Sequence, residues 1–358
     1  MEAKIAVLSG DGIGPEVMNE ALRVLEFIGK KYNHKFQFNE ALIGGAAFEI
    51  LNKHFPEETQ KLCEECDAIL FGSVGGPVEE SESPKWKDCE RNSLLGLRKS
   101  FAFNVNLRPA RVYPELRGIC PLKAELIEAG VDLLIVRELS GDIYFGDHLV
   151  YETNGRRAAK DVALYDEDQI TAIAHTAFKA AAERSKKVTS VDKANVLETS
   201  RLWRAVICEV SQEYPNVLLE NMLVDNCAMQ LIRNPSQFDV IVTSNLFGDI
   251  LSDEAAVLPG SLGLTPSASF NKNGFGLYEP SGGSAPDLAG KGIANPIAQI
   301  LSAALMLRYS FNLKREALTI ENAVEQTLQA RFRTKDIYQE GQRLVGTREF
   351  TDELLKRI

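Results

Sequence analysis

Short runs rich in valine, isoleucine and leucine alternate along this chain with longer stretches of helical period, and no flexible linker breaks the alternation. Apolar runs bounded by turns suit strands buried on both faces, and the longer periods suit helices that cover them. The pattern therefore predicts α/β architecture with a largely buried sheet. Strands are expected at residues 4–9, 68–72, 131–138, 187–191, 217–220 and 239–243, and helices at 15–31, 166–184, 201–213, 246–257, 296–309 and 320–329. Pro15 suits a first helical position, and Glu16 the positive end of the helix dipole. With 358 residues the chain is longer than one core ordinarily serves. Two domains without a linker imply a chain that crosses from one into the other and returns. Residues 140–155 lack helical period, and 156–165 read as a return strand. Together they predict a ribbon that packs on another subunit or lies as a surface hairpin.

An apolar fraction of 45% and a charged fraction of 25% exclude disorder over most of the length. Fifty acidic against 40 basic side chains leave a net charge of −10, a field that repels nucleic-acid phosphates and anionic lipid. A few arginines still suffice to make one pocket positive. No stretch approaches the roughly 20 apolar residues that cross a bilayer, and the start of the chain does not read as a secretory signal. The six cysteines are then expected as free thiols of a cytoplasmic protein. Cys63 and Cys66 form a Cys-x-x-Cys pair with no second pair to complete a zinc site. His34, His54, His148 and His175 form no recognisable pair or triad.

Several motifs carry candidate chemistry. Gly10-Asp-Gly-Ile-Gly14 lies between a strand and a helix, where backbone amides can meet an anion or simply make a tight turn. Its spacing is not that of the dinucleotide fingerprint. Asp249 and Asp253 stand four apart on a helix, so both carboxylates share one face. With apolar neighbours such as Ile250 and Leu251, the pair calls for a hard cation or a partner arginine, the alternative being a solvated acidic edge. Arg98, Arg108 and Arg137 lie in apolar surroundings. Singly they read as ion-pair partners; converging, they would hold a di- or tricarboxylate. Lys193 follows a strand and is a candidate base or an exposed lysine. Tyr144 is a candidate proton carrier or a packing residue. The loop from Glu279 to Pro296 is glycine-rich and leads into a helix, and its Asp287 can accept two ribose hydroxyls and repel a 2′-phosphate.

In this order the blocks at 10–16, 72–77, 97–99, 106–109, 136–138, 144–146, 192–195, 244–254 and 279–296 resemble the β-decarboxylating dehydrogenases, the isocitrate/isopropylmalate dehydrogenase family. The resemblance spans almost the whole chain. It implies a two-domain α/β/α fold around a large mixed sheet, not a Rossmann fold. Residues 1–103 and 260–358 would form the domain that carries both termini and most of the NAD site. Residues 104–259 would form the central domain, with the dimer interface, an arm at about 140–165, and the metal and substrate residues.

Carried over by position, Arg98, Arg108 and Arg137 bind the malate carboxylates. Asp249, Asp253 and Asp225 of the partner subunit bind Mg²⁺ or Mn²⁺. Lys193 of the partner subunit takes the hydroxyl proton, and Tyr144 protonates the enol. Ile13, Gly75, Glu279, Gly282, Gly283, Ser284, Ala285, Pro286, Asp287 and Asn295 resemble the cofactor site, with NAD expected over NADP. Leu94, Leu95 and Val196 offer an apolar wall where isocitrate enzymes place polar groups. Burying an isopropyl group there contributes about 1–3 kcal/mol of discrimination. The resemblance thus implies oxidative decarboxylation of 3-isopropylmalate in leucine biosynthesis by a homodimer. Tartrate, malate, isocitrate and homoisocitrate are the alternative substrates, and a non-catalytic subunit of the same fold the alternative class. Two positions depart from the family: Arg91, where many members are acidic, and Gly282, where many carry histidine.

Overall fold

The computed structural model describes residues 1–358. The chain runs through β1 (Glu2–Gly10), α1 (Gly14–Tyr32), β2 (Lys35–Glu40), α2 (Gly44–Leu51), α3 (Glu57–Glu64), β3 (Ala68–Ser73), α4 (Gly96–Ser100), β4 (Val105–Val112) and β5 (Val131–Glu138). There follow β6 (His148–Thr153), β7 (Arg156–Asp161), α5 (Glu167–Ala182), β8 (Lys187–Asp192), α6 (Glu198–Ser211), β9 (Leu218–Leu223), α7 (Val224–Arg233), β10 (Val240–Thr243) and α8 (Asn245–Ala256). The last elements are β11 (Pro266–Phe270), β12 (Gly276–Pro280), α9 (Ile297–Tyr309), α10 (Lys314–Gln329) and α11 (Thr347–Leu355). No helix is long and apolar enough to cross a membrane.

Two compact units result: Met1–Ala102, Tyr113–Ile119 and Pro259–Ile358 form one, and Phe103–Val112 with Cys120–Leu258 the other. Residues 113–119, expected in the central domain, instead belong with the termini. Arg333 there donates to the Glu115 carbonyl at 3.2 Å, and Gly260 packs against Ile119 so closely that a Cβ would lie 2.6 Å from its carbonyl oxygen. The terminal unit orders its strands β2-β1-β3-β12-β11, all parallel except that β11 is antiparallel to β12. An all-parallel Rossmann sheet is thereby ruled out.

The central unit orders its strands β4-β5-β10-β8-β9, with β4 antiparallel to β5 and the others parallel. Side chains alternate across this sheet. Leu133, Ile135 and Ile241 join Leu231 of α7 and Leu251 and Ala255 of α8 in one core. Leu134 and Val136, also buried, turn to the face that α5 covers. Asp166 and Gln169 close a capping box at the start of α5.

The expected ribbon divides into two parts. From His148 to Asp161 it is an antiparallel hairpin turned by Asn154 and Gly155, both at positive φ, as a two-residue turn requires. Nearly all of its residues are exposed. Residues 140–146 are not ribbon; they lie as a strap across the amino-terminal end of α8, where the Leu246 amide donates to Asp142. All six cysteines are free, five of them buried, and burial pushes the Cys63 thiol up to about 12.

Candidate active site

In the central unit, β5 delivers Arg137 at its carboxyl end, and α8 starts just after the neighbouring β10. Arg137 is 2% exposed. Its Nε donates to the Asn245 carbonyl at 3.0 Å, its Nη2 to Asn245 Oδ1 at 2.8 Å, and its Nη1 to Asp249. The other Asp249 oxygen accepts the Tyr144 hydroxyl at 2.6 Å, and the guanidinium sits 5.4 Å from the centre of the Tyr144 ring. Burial, and then the neighbouring Asp249 carboxylate, hold the Tyr144 phenol above its ordinary range. Gly248 makes this approach possible: a Cβ there would lie 2.6 Å from Cγ of Arg137.

The two acids of α8 thus each meet an arginine, Asp253 accepting from Arg108 at 3.4 Å. One face of α8 is buried through Gly248, Leu251, Ser252 and Ala255. Ile250 is exposed, and the acidic face opens to solvent, with Asp253 three-quarters exposed. Lys193, just past β8, donates to Asp225 at the start of α7 at 2.6 Å, and this contact pulls the Asp225 carboxyl below its ordinary range. One chain does not gather Asp225 with Asp249 and Asp253, since no three acidic, histidine or cysteine side chains cluster closely enough to hold an ion. All three are hard carboxylate donors, suited to magnesium or manganese. Val196 and Leu95 are exposed in their units, whereas Leu94 is buried on the π-helical turn Arg91–Leu95.

In the terminal unit three loops are knitted together at glycines. Gly12, at φ +58°, leaves no room for a Cβ, which would lie 2.0 Å from the Ser284 carbonyl oxygen. The Asp11 amide donates to Ser73 O at 2.7 Å, Ile13 to Ser284 O at 2.8 Å and Gly14 to Asp11 O at 2.9 Å. These donors are engaged by backbone, so the opening glycine motif is a tight turn and its amides are not an anion cradle. Buried Asp11 accepts the amides of Gly45, Ala46 and Gly75. Beside this junction lies a cavity of about 540 Å³, within the range of small-molecule sites. Ile13, Gly282, Gly283, Ala285 and Asn295 line it. Gly75, Ser284, Pro286 and exposed Asp287 border the same loops without lining it. Glu279 turns instead to Arg98, accepting at 3.3 Å, while the Arg98 Nε is buried with no partner. Sequence reasoning missed Lys335 and Asp336, which also line the cavity, Asp336 accepting from Asn295 at 2.9 Å. They belong to no motif, and only the fold brings them to this loop.

The family model described as isocitrate/isopropylmalate dehydrogenase matches residues 4–354. The chain belongs to this family. It is an oxidoreductase. Among curated relatives, 3-isopropylmalate dehydrogenases of Clostridium acetobutylicum and Geobacter sulfurreducens are each 54% identical, aligning over 100% and 99% of this chain and 99% of each relative. That of Aquifex aeolicus is 53% identical over 99% of this chain and 97% of its own. Among solved structures, isocitrate dehydrogenase from Methylococcus capsulatus superposes with a TM-score of 0.85 at 33% identity, covering 99% of both chains. A β-decarboxylating dehydrogenase from Thermococcus kodakarensis gives 0.80 at 35% identity, over 99% of this chain and 96% of that one. For this dehydrogenase the fold is thus the mixed α/β fold of its family.

Proposed function

We propose that this dehydrogenase oxidises and decarboxylates 3-isopropylmalate to 4-methyl-2-oxopentanoate, a step of leucine biosynthesis. It would act with NAD and magnesium or manganese, as a cytoplasmic homodimer whose subunits share each active site. One observation carries the chemistry: a buried arginine and a neutral phenol meet on the same carboxylate, Asp249. The names of the full-length relatives, with apolar Leu94, Leu95 and Val196, support the substrate.

Arg98, Arg108 and Arg137 hold the two carboxylates of the malate; the unpartnered Nε of Arg98 supports its share. Lys193 of the partner subunit would accept the C2 hydroxyl proton, and NAD, when bound, would supply the acceptor for the hydride that C2 loses. The resulting 2-oxo acid carries a carboxylate β to its carbonyl, so the bond from C3 to that carboxylate breaks, releasing carbon dioxide and leaving an enolate. Asp249, Asp253 and Asp225 of the partner subunit would hold the divalent cation, which would supply Lewis acidity for that charge. Tyr144 donates the proton that C3 takes up. Ile13, residues 282–287 and Asn295 would hold NAD, with Asp287 accepting from the ribose hydroxyls.

The test is NADH formation from isopropylmalate, isocitrate, homoisocitrate and tartrate, with and without a chelator. Isopropylmalate is expected to give a kcat/KM about 100-fold above the others, with turnover lost on chelation. Faster turnover of another acid, or indifference to the chelator, overturns the reading.

A further inference from the structure

Tyr144 rides on the strap of residues 140–146, which has no strand or helix of its own to fix it. Buried side chains hold it. The Glu138 carboxylate accepts the Ser140 amide at 2.6 Å and the Gly141 amide at 2.8 Å. Asn245, 1% exposed, donates its Nδ2 to the Gly141 carbonyl at 3.2 Å, while its Oδ1 accepts Nε and Nη2 of Arg137 at 3.1 and 2.8 Å. Its amide, an unpaired donor at the helix start, is met by the Tyr165 hydroxyl at 2.9 Å. The ring of the same buried Tyr165 packs on the strap at Gly141, where a Cβ would lie 2.5 Å from it. One amide side chain therefore ties Arg137 to the strap, and one buried phenol ties that amide's backbone to the base of the strap.

We propose that Asn245 and Tyr165 are positioning residues: they hold Arg137 and the Tyr144 strap in one frame, so that both reach Asp249. The proposal rests on the reading of Tyr144 as the proton donor to C3. Neither residue need touch the substrate. Tyr165→Phe removes one oxygen and leaves the Asn245 amide without its acceptor, while the ring that packs on Gly141 stays. Asn245→Asp keeps the acceptor for Arg137 but loses the donor to Gly141.

The experiment measures kcat and KM with isopropylmalate, together with the stereochemistry of deuterium at C3 of the product formed in D₂O. Wild type is expected to deliver deuterium to one face. Tyr165→Phe is expected to lower kcat about tenfold, to leave KM within about threefold because the Asn245 side chain still grips Arg137, and to scramble the C3 label. Asn245→Asp shifts the same readouts and decides the matter if Tyr165→Phe does not fold. A folded Tyr165→Phe with wild-type kcat and a single labelled face overturns the proposal. Tyr144→Phe, run alongside, separates the two claims. If it scrambles the label and the positioning variants do not, the positioning proposal alone falls. If it keeps the label on one face, the reading of Tyr144 falls, and the kcat against KM split of Tyr165→Phe decides the positioning role by itself.

Discussion

Two adjacent residues at the end of β5 meet burial in opposite ways. Arg137 meets an aspartate and an asparagine, whereas the Glu138 carboxyl is pushed above its ordinary range by burial, against the pull of hydrogen bonds from Ser140 and Gly141. The sign of the consequence follows from linkage. A carboxyl whose folded-state value is raised binds its proton more tightly folded than unfolded. Its contribution is fully present below the ordinary value of 4.5 and is lost as pH rises through the raised value. Glu138→Gln removes that term. Urea unfolding at a series of pH values is expected to show wild type losing more stability than the variant as pH climbs above 4.5; parallel profiles would contradict the assignment.

At the scale of elements, α8 does most to assemble the site, because one helix carries Asn245, Gly248, Asp249 and Asp253 on consecutive turns. Gly248 faces the stem of Arg137, not its flexible tip, so a methyl there cannot be accommodated by swinging a side-chain end aside. Gly248→Ala is expected to cost about 1–3 kcal/mol of stability and to raise KM for the acid substrate, read by denaturant unfolding and steady-state kinetics. Unchanged KM would mean that Arg137 is not held by this contact.

The helix was legible in the sequence because its acids, four apart, sit among apolar residues directly after a β-branched run. The buried parallel strands were legible for the same reason. Strand β4 was not, since Arg108, Pro109 and Arg111 break its alternation, and only pairing with β5 makes it a strand. Strands β11 and β12, PSASF and GLYEP, carry the small residues and prolines of loops, and gain their structure from the sheet. The beginning of α10 at Lys314, six residues before the apolar period becomes clear, was missed because its first turn is polar. The strap was partly legible: aromatics and glycines marked it as irregular, but its buried anchors come from residues far along the chain. The glycine motif at 10–14 left two readings open, because local sequence cannot tell whether an amide meets a ligand or another loop's carbonyl; the tight turn is the one found.

At the scale of the molecule, the chain leaves the unit that carries its amino terminus, builds the central unit, and returns, which accounts for two units without a linker. The central unit holds Tyr144 and Asp249 in one cluster and Lys193 with Asp225 in another, and it exposes Ile250, Met229 and Ile232. Such a distribution suits the proposed site completed by a second copy, in which each cluster would supply half of the chemistry. Two variants, Lys193→Met and Asp249→Asn, each disable one half, and mixing them tests the idea directly. After the two inactive proteins are unfolded together and refolded at equal amounts, random pairing leaves about one quarter of the sites with both halves intact. Activity is therefore expected to return to about a quarter of wild type; a mixture as inactive as its components would contradict the shared site.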